Sequence, residues 1–472
     1  MFKKCALLLT AFTLIPAQLP AKGSASSADL AVLKRPAVVR VVTGCEAKFV
    51  SKLDKNSKNY PINTAFTGTG FFISPDGYIA TNAHLVSRQS CESGLWARLA
   101  DSIIQDLRTS SGLVPDTLKT KISLIAVNAD NNNEARVEIA KELKNYFTSE
   151  SYKQRGKVWL AGDEFKTETN NELYGMMDIG KDYEIKKEAP AASSASDPDY
   201  GGKDVAIIKV DGINAAPTLK LADSSAVREA DVVKVIGYPG IADTSFKSLP
   251  RASIMDGKIS ALKTWKNDVQ LFQIDVLVAG GSSGSPVLNS QGEVIGMIVG
   301  YNRDLSSNDK IPFAVPVNII KEFVGQSGTT ANQESETDRL FQAGLDSLQS
   351  GSYSEAQEKF EQVKRSFPQH SEVDDLLSQT QQQRNVSTQQ QRELMIPIVG
   401  IGGVSSLALL GLTWFLLRNR SQQRLQTAAA SISTEPLQTR MASPKVSNFF
   451  RPSTVVKQPF LELKSSQGKD HR

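Results

Sequence analysis

Histidine and cysteine are scarce in this chain of 472 residues, with three of each. No metal-ligand spacing, phosphate-binding loop or nucleic-acid motif stands out, and no cofactor or metal is expected. Net charge is also small, +4 from 54 basic and 50 acidic residues, and gives no argument for a nucleic-acid partner. Long apolar runs are limited to two places. The length exceeds one ordinary domain, so two or three units are expected.

The first apolar run follows Lys3 and Lys4 and leads into small residues around 17–28, with Ala21 and Ala25 as alternative cleavage points. This three-part layout reads as an export leader over 1–25. The second run, 395–417, is uncharged and reaches about 34 Å as a helix, enough to cross a bilayer once. Arg418, Arg420 and Arg424 follow directly, which puts the tail 418–472 in the cytoplasm and the body outside it. That tail carries ten Lys/Arg against three Asp/Glu and reads as disordered. Cys5 leaves with the leader. Cys45 and Cys91 remain, a candidate disulfide in an oxidising compartment, with two buried thiols as the alternative.

Between these ends the chain is rich in short strands. The run Val38-Val39-Arg40-Val41-Val42 reads as a strand, and a hairpin with a Pro75-Asp76-Gly77 turn follows over 68–84. Helical spacing occupies 95–107 and 134–146, and strands are possible at 157–161 and 183–187, inside a poorly legible interval of about 87–200. Short runs at 205–210, 231–237, 248–255, 258–262, 270–278, 294–301 and 311–315, separated by Gly, Asp and Asn, argue for all-β barrels. A closing helix is expected at 317–324. Two amphipathic helices, 340–348 and 353–367, resemble one tetratricopeptide unit within 334–383. That unit is a candidate spacer, or a contact for a protein partner or a second copy.

One loop has the composition of a nucleophile site, Gly280-Gly281-Ser282-Ser283-Gly284-Ser285-Pro286. Glycines around a serine permit a sharp turn and bring amides near a substrate carbonyl. Ser283 is the candidate nucleophile and Ser285 the alternative, with the amides of Gly281 and Ser283 as oxyanion donors. A serine needs an imidazole base, and the imidazole needs a carboxylate. His370 and His471 lie beyond the β-rich part, so His84 is the candidate base. Asp204, before a strand beginning Val-Ala-Ile-Ile, is the candidate orienter, with Asp197 and Asp199 nearby.

These segments together resemble the trypsin-like serine peptidases of the chymotrypsin fold, particularly the HtrA/Deg branch. The resemblance rests on Gly68–Val86, on Asp204-Val205-Ala206 and on the spacing from Gln273-Ile274-Asp275 to Ser283-Gly284. Val294-Ile295-Gly296 and Phe313-Ala314-Val315-Pro316 complete it. It implies two six-stranded antiparallel barrels over 29–325, carrying a partly helical insertion at about 87–200 that could lie over the cleft. A helical hairpin and a single transmembrane helix follow. It also implies a His84, Asp204, Ser283 triad acting on protein or peptide substrates. Ser282 and Ser285 stand where that branch usually has Asn and Gly. Helices and an apolar run occupy the place of its PDZ-like module.

The substrate pocket is expected to be walled by Leu277, Val278, Ile298 and Val299, all apolar, favouring cleavage after aliphatic residues. The expected function is a membrane-anchored extracytoplasmic endopeptidase in protein quality control or processing. The competing reading is a catalytically silent scaffold that binds partner proteins.

Overall fold

In a computed structural model of the chain, valine-rich runs punctuated by glycine turns build twelve strands among the described residues, closed into two barrels. The structure describes residues 27–53, 58–109, 116–128, 132–161, 163, 180–188, 203–240, 251–264, 269–301, 311–389, 410 and 412–418. The chain divides into the units Met1–Gln390 and Gln391–Arg472.

A short helix, α1 (Ser27–Lys34), precedes the first barrel. That barrel begins with β1 (Val38–Ser51), β2 (Tyr60–Phe72) and β3 (Tyr78–Thr81). Four helices follow, α2 (Ala83–Val86), α3 (Arg88–Arg108), α4 (Asp116–Asn128) and α5 (Asn132–Tyr146). The strands β4 (Phe147–Trp159), β5 (Lys181–Glu188) and β6 (Ala206–Val210) then close the ring in the order β1-β2-β3-β6-β5-β4. The interval 87–200 is therefore not an insertion throughout. Its later part supplies two barrel strands, and among the described residues the helical part stands outside the ring. Polar composition hides β4, whose outer length pairs with β1 while most of its side chains face solvent.

The helical part packs on the far reaches of β1 and β2. Cys91, Leu95, Leu99 and Ile103 recur every four residues along α3 and form one apolar face. That face meets Ala47, Phe49, Tyr60 and Ile62 of the strands, with Leu118, Ile122, Ile139 and Leu143 of α4 and α5 behind it. Cys45 of β1 and Cys91 of α3 are joined as a disulfide across this core, their Cα atoms 5.7 Å apart. The bond closes a segment with a sequence separation of 46. Reduction should lower unfolding stability by about 2–4 kcal/mol through the freed chain entropy. A urea midpoint that dithiothreitol leaves unchanged would contradict this.

The second barrel contains β7 (Val232–Gly237), β8 (Ser253–Thr264), β9 (Gln270–Ile274), β10 (Pro286–Leu288), β11 (Val294–Tyr301) and β12 (Pro312–Pro316). It closes in the order β10-β11-β12-β9-β8-β7. The two strands expected over 248–262 are one. Gly257 lies within β8 and makes no turn, and a Cβ there would stand 2.3 Å from the carbonyl oxygen of Asp275. A continuous apolar core links the barrels, with Val38, Val42 and Phe71 on one side and Ile236, Leu288 and Met297 on the other. The helix α6 (Val317–Val324) closes onto it through Val317, Ile320 and Phe323.

The hairpin α7 (Glu336–Gln349) and α8 (Tyr353–Ser366), with a further helix at 373–389, is docked on the barrels. Phe367, 3 % exposed, enters the first barrel's core and meets Phe72 edge-on, with ring centroids 6.1 Å apart. Asp338 accepts both the backbone N–H and the hydroxyl of Thr218. Glu372, buried, lies 3.4 Å from Arg35 before β1 and 3.5 Å from Arg251 before β8.

The leader expected over 1–25 lies outside the described residues, as do Asp197, Asp199 and nearly all of 395–417 and 418–472. In the second unit, residues 410 and 412–418 are helical, and Leu410, Leu412, Trp414, Phe415, Leu416 and Leu417 are exposed. Among the described residues no helix is long and apolar enough to cross a membrane.

Candidate active site

Strand register brings His84 and Asp204 together. β3 runs antiparallel to β6 with Thr81 opposite Ala206, so residues just past Thr81 meet those just before Ala206. At that end α2 begins, and His84 lies in its single turn. Its Nδ1 is 2.7 Å from Oδ2 of Asp204, while its backbone N–H donates to Oδ1 at 2.9 Å. One carboxylate thus holds both the ring and the main chain of the same residue. An ionised carboxylate only accepts, so Nδ1 carries the proton and Nε2 is left as the basic nitrogen. Asp204 is 7 % exposed and sits at φ +44°, a left-handed conformation uncommon for a residue with a side chain. The side chain of Asn82 donates to its carbonyl at 2.9 Å and secures that conformation.

Ser283 belongs to the second barrel, on the loop between β9 and β10. Of the consecutive amides 281–285, three are engaged: Ser282 donates to Ala279, Gly284 to Ile298 and Ser285 to Ser282. Those of Gly281 and Ser283 take no acceptor among the described residues. Two donors without an acceptor, one of them the amide of the partly exposed Ser283 itself, are available to an oxyanion. Gly281 has φ +96°, and a Cβ there would stand 2.3 Å from the carbonyl oxygen of Tyr238, so only glycine fits. Ser285, the alternative nucleophile, has no exposed surface and its Oγ has no partner. That oxygen lies against Gly237, where a Cβ would approach it to 1.9 Å.

The loop is fastened to the hairpin that carries His84. Thr69 of β2 donates its backbone N–H to the Ser283 carbonyl at 2.7 Å. Sequence reasoning assigned no role to Thr69 or Asn82. Thr69 stands out only as a hydroxyl between Gly68 and Gly70, in a hairpin read for its glycines.

The four expected pocket residues differ in burial. Val278 and Ile298 are buried in the second barrel's core with Val235, Ile259 and Ala314. Val299 packs against the core shared by both barrels, and Leu277 is 75 % exposed. A register shift between Ile298 and Gly300 in β11 changes which side chains face inward. Beside the serine the strand instead presents Gly300, where a Cβ would be 4.0 Å from Ser283 Oγ.

Two closed six-stranded barrels, one bearing a His–Asp pair and the other a glycine-flanked serine, agree with the fold that the sequence resemblance implies. The model of the trypsin-like peptidase domain matches residues 169–297, which include Asp204 and Ser283 but not His84. Serine protease HTRA1B of Danio rerio is 27 % identical over 217 residues, 45 % of this chain and 43 % of that protein. Periplasmic serine endoprotease DegP of Salmonella typhimurium is 30 % identical over 128 residues, 26 % of this chain and 25 % of that one. The chain thus spans less than half the length of the curated relatives it matches. A solved structure of the HtrA-type protease AlgW with a decapeptide superposes with a TM-score of 0.34 and 16 % identity, covering 64 % of this chain and 67 % of that one.

Proposed function

We propose that this chain is a serine endopeptidase that cleaves proteins outside the cytoplasm, tethered by the apolar segment 395–417. The observation that carries the reading is the doubly bonded His84–Asp204 pair, together with two amides that no carbonyl occupies on the serine loop. Similarity to HTRA1B and DegP, each named a serine protease, supports the same chemistry. DegP is a periplasmic endoprotease, which agrees with an extracytoplasmic body.

In the reaction, Oγ of Ser283 attacks the scissile carbonyl carbon while Nε2 of His84 takes its proton. Asp204 stabilises the imidazolium, and the amides of Gly281 and Ser283 hold the negative oxygen of the tetrahedral intermediate. His84 then protonates the leaving amine, and an acyl-enzyme on Ser283 remains. Water, deprotonated by the same imidazole, releases the acid. No cofactor enters. Quality control or processing of extracytoplasmic proteins is the role proposed, with the docked hairpin as a spacer or partner contact.

The deciding experiment is labelling of the full-length protein with a fluorophosphonate. Labelling should disappear in Ser283→Ala and persist in Ser285→Ala. An unlabelled, correctly folded wild type would refute the hydrolase reading. Alkaline carbonate extraction tests the tether separately, and release of the chain into the supernatant would count against it.

A further inference from the structure

Thr69 of the first barrel makes four hydrogen bonds, two of them to the serine loop of the second. Its backbone N–H donates to the carbonyl of Ser283 at 2.7 Å. Its hydroxyl donates to the carbonyl of Gly281 at 2.9 Å and accepts the backbone N–H of Tyr238 at 3.0 Å. Its own carbonyl accepts the hydroxyl of Thr81 at 2.7 Å. The residue is completely buried. Gly284 is held equally close, since a Cβ on it would stand 1.8 Å from the Thr69 carbonyl oxygen.

We infer that Thr69 is a positioning residue that sets the aim of the oxyanion donors from the opposite barrel. This rests on the hydrolase reading above. The two residues whose carbonyls Thr69 holds, Gly281 and Ser283, are the two whose amides take no acceptor. A carbonyl shares its peptide plane with the next residue's N–H, so these ties fix the plane that follows each donor residue. Gly240, donating to the Gly280 carbonyl at 2.6 Å, fixes the plane that carries the Gly281 N–H itself. With both of its planes held, Gly281 cannot turn. The Gly281 tie matters more. With φ +96° and no side chain, that residue can reorient its peptide planes more freely than any neighbour with a Cβ. The Tyr238 bond fixes the hydroxyl itself, so the donor proton is directed at Gly281 and at no other acceptor. Tyr238 also walls Gly281 on the side where a Cβ would collide with its carbonyl.

The bond from the Thr69 backbone to Ser283 survives any side-chain change. Substituting Thr69 therefore tests the hydroxyl alone. Thr69→Val keeps the shape and removes both side-chain bonds, whereas Thr69→Ser keeps the hydroxyl. Misaiming an oxyanion donor acts on the transition state and not on substrate binding. Expected is a fall in kcat of about 10- to 100-fold with KM changed less than about threefold, against the ~10²–10³ measured when a donor is removed outright. Inhibition by a peptide boronate, whose tetrahedral adduct needs the same donors, should weaken by the same factor.

Thr69→Ser should recover kcat to within about threefold of wild type. The comparison is made at a temperature where all three proteins are folded by circular dichroism. If Thr69→Val matches wild-type kcat, or loses activity through KM alone, the inference is overturned. So too if Thr69→Ser is as impaired as the valine variant while equally folded. A wild type without Ser283-dependent hydrolysis would instead sink the hydrolase reading, and this inference with it.

Discussion

Ser283→Ala is expected to lower kcat by on the order of 10⁶, the scale seen when the nucleophile of a serine protease is removed alone. Asp204→Asn should cost about 10⁴, because an amide cannot hold the proton-bearing Nδ1 of His84 in its tautomer. The geometry makes that second loss instructive. Asp204 accepts from the ring and from the backbone of His84, at 2.7 and 2.9 Å. The amide oxygen of asparagine can keep one of these bonds and its NH₂ opposes the other. Residual turnover of roughly 10³ over water should survive in each variant, supplied by the oxyanion donors and substrate binding. Ser285→Ala should behave oppositely. Its hydroxyl is buried with no partner, so deleting it removes an unmet polar group and leaves stability equal or slightly higher. Single-turnover kinetics with a chromogenic peptide ester, alongside thermal midpoints, distinguishes the two serines. Activity lost in Ser285→Ala and kept in Ser283→Ala would reverse the assignment.

The pair of barrels and the His–Asp contact were legible because few residue types can do the chemistry. The β-rich part contains one histidine, and the turn residues around it restrict where strands can run. The burial of the four expected pocket residues was not legible. A strand's inward face alternates with period two, and the irregular pairing between Ile298 and Gly300 resets it without any sign in composition. The first helix of the insertion was read from Leu95, although it begins at Arg88. Ser87 caps it by accepting the amide of Ser90, a local signal that was available. Thr69 was invisible for another reason. Its partners lie at 238, 281 and 283, and no local pattern marks a hydroxyl whose role is to reach the other barrel.

The docked hairpin carries two titrations of opposite sign, His370 buried and Asp338 half-buried, and the second large effect follows from separating them. His370 faces the ring of Phe341 at 4.2 Å and receives the amide of Glu372 on Nδ1. Burial pushes its pKa down to about 3. Asp338 is pushed up to about 6 by burial, a rise that the two Thr218 bonds and Lys34 oppose and that Glu334 reinforces. Below pH 6.5 the unfolded imidazole takes a proton that the folded one refuses, so acid removes stability down to about pH 3. Asp338 does the reverse. Folded, it keeps a proton that the unfolded carboxyl gives up near 3.8, so stability falls as pH rises from there to about 6. Between about pH 4 and 6 the two slopes largely cancel in the intact protein. Asp338→Asn retains the acceptor for Thr218 and exposes the histidine: acidification from pH 6 to 4 should then cost roughly 3 kcal/mol. His370→Phe exposes the carboxyl, and stability should fall as pH rises from 4 to 6. Taking each variant against wild type at pH 4, 5 and 6 removes the contribution of every other carboxylate. Denaturant midpoints of Asp338→Asn that run parallel to wild type across that range would show that Asp338 ionises as an ordinary carboxylate.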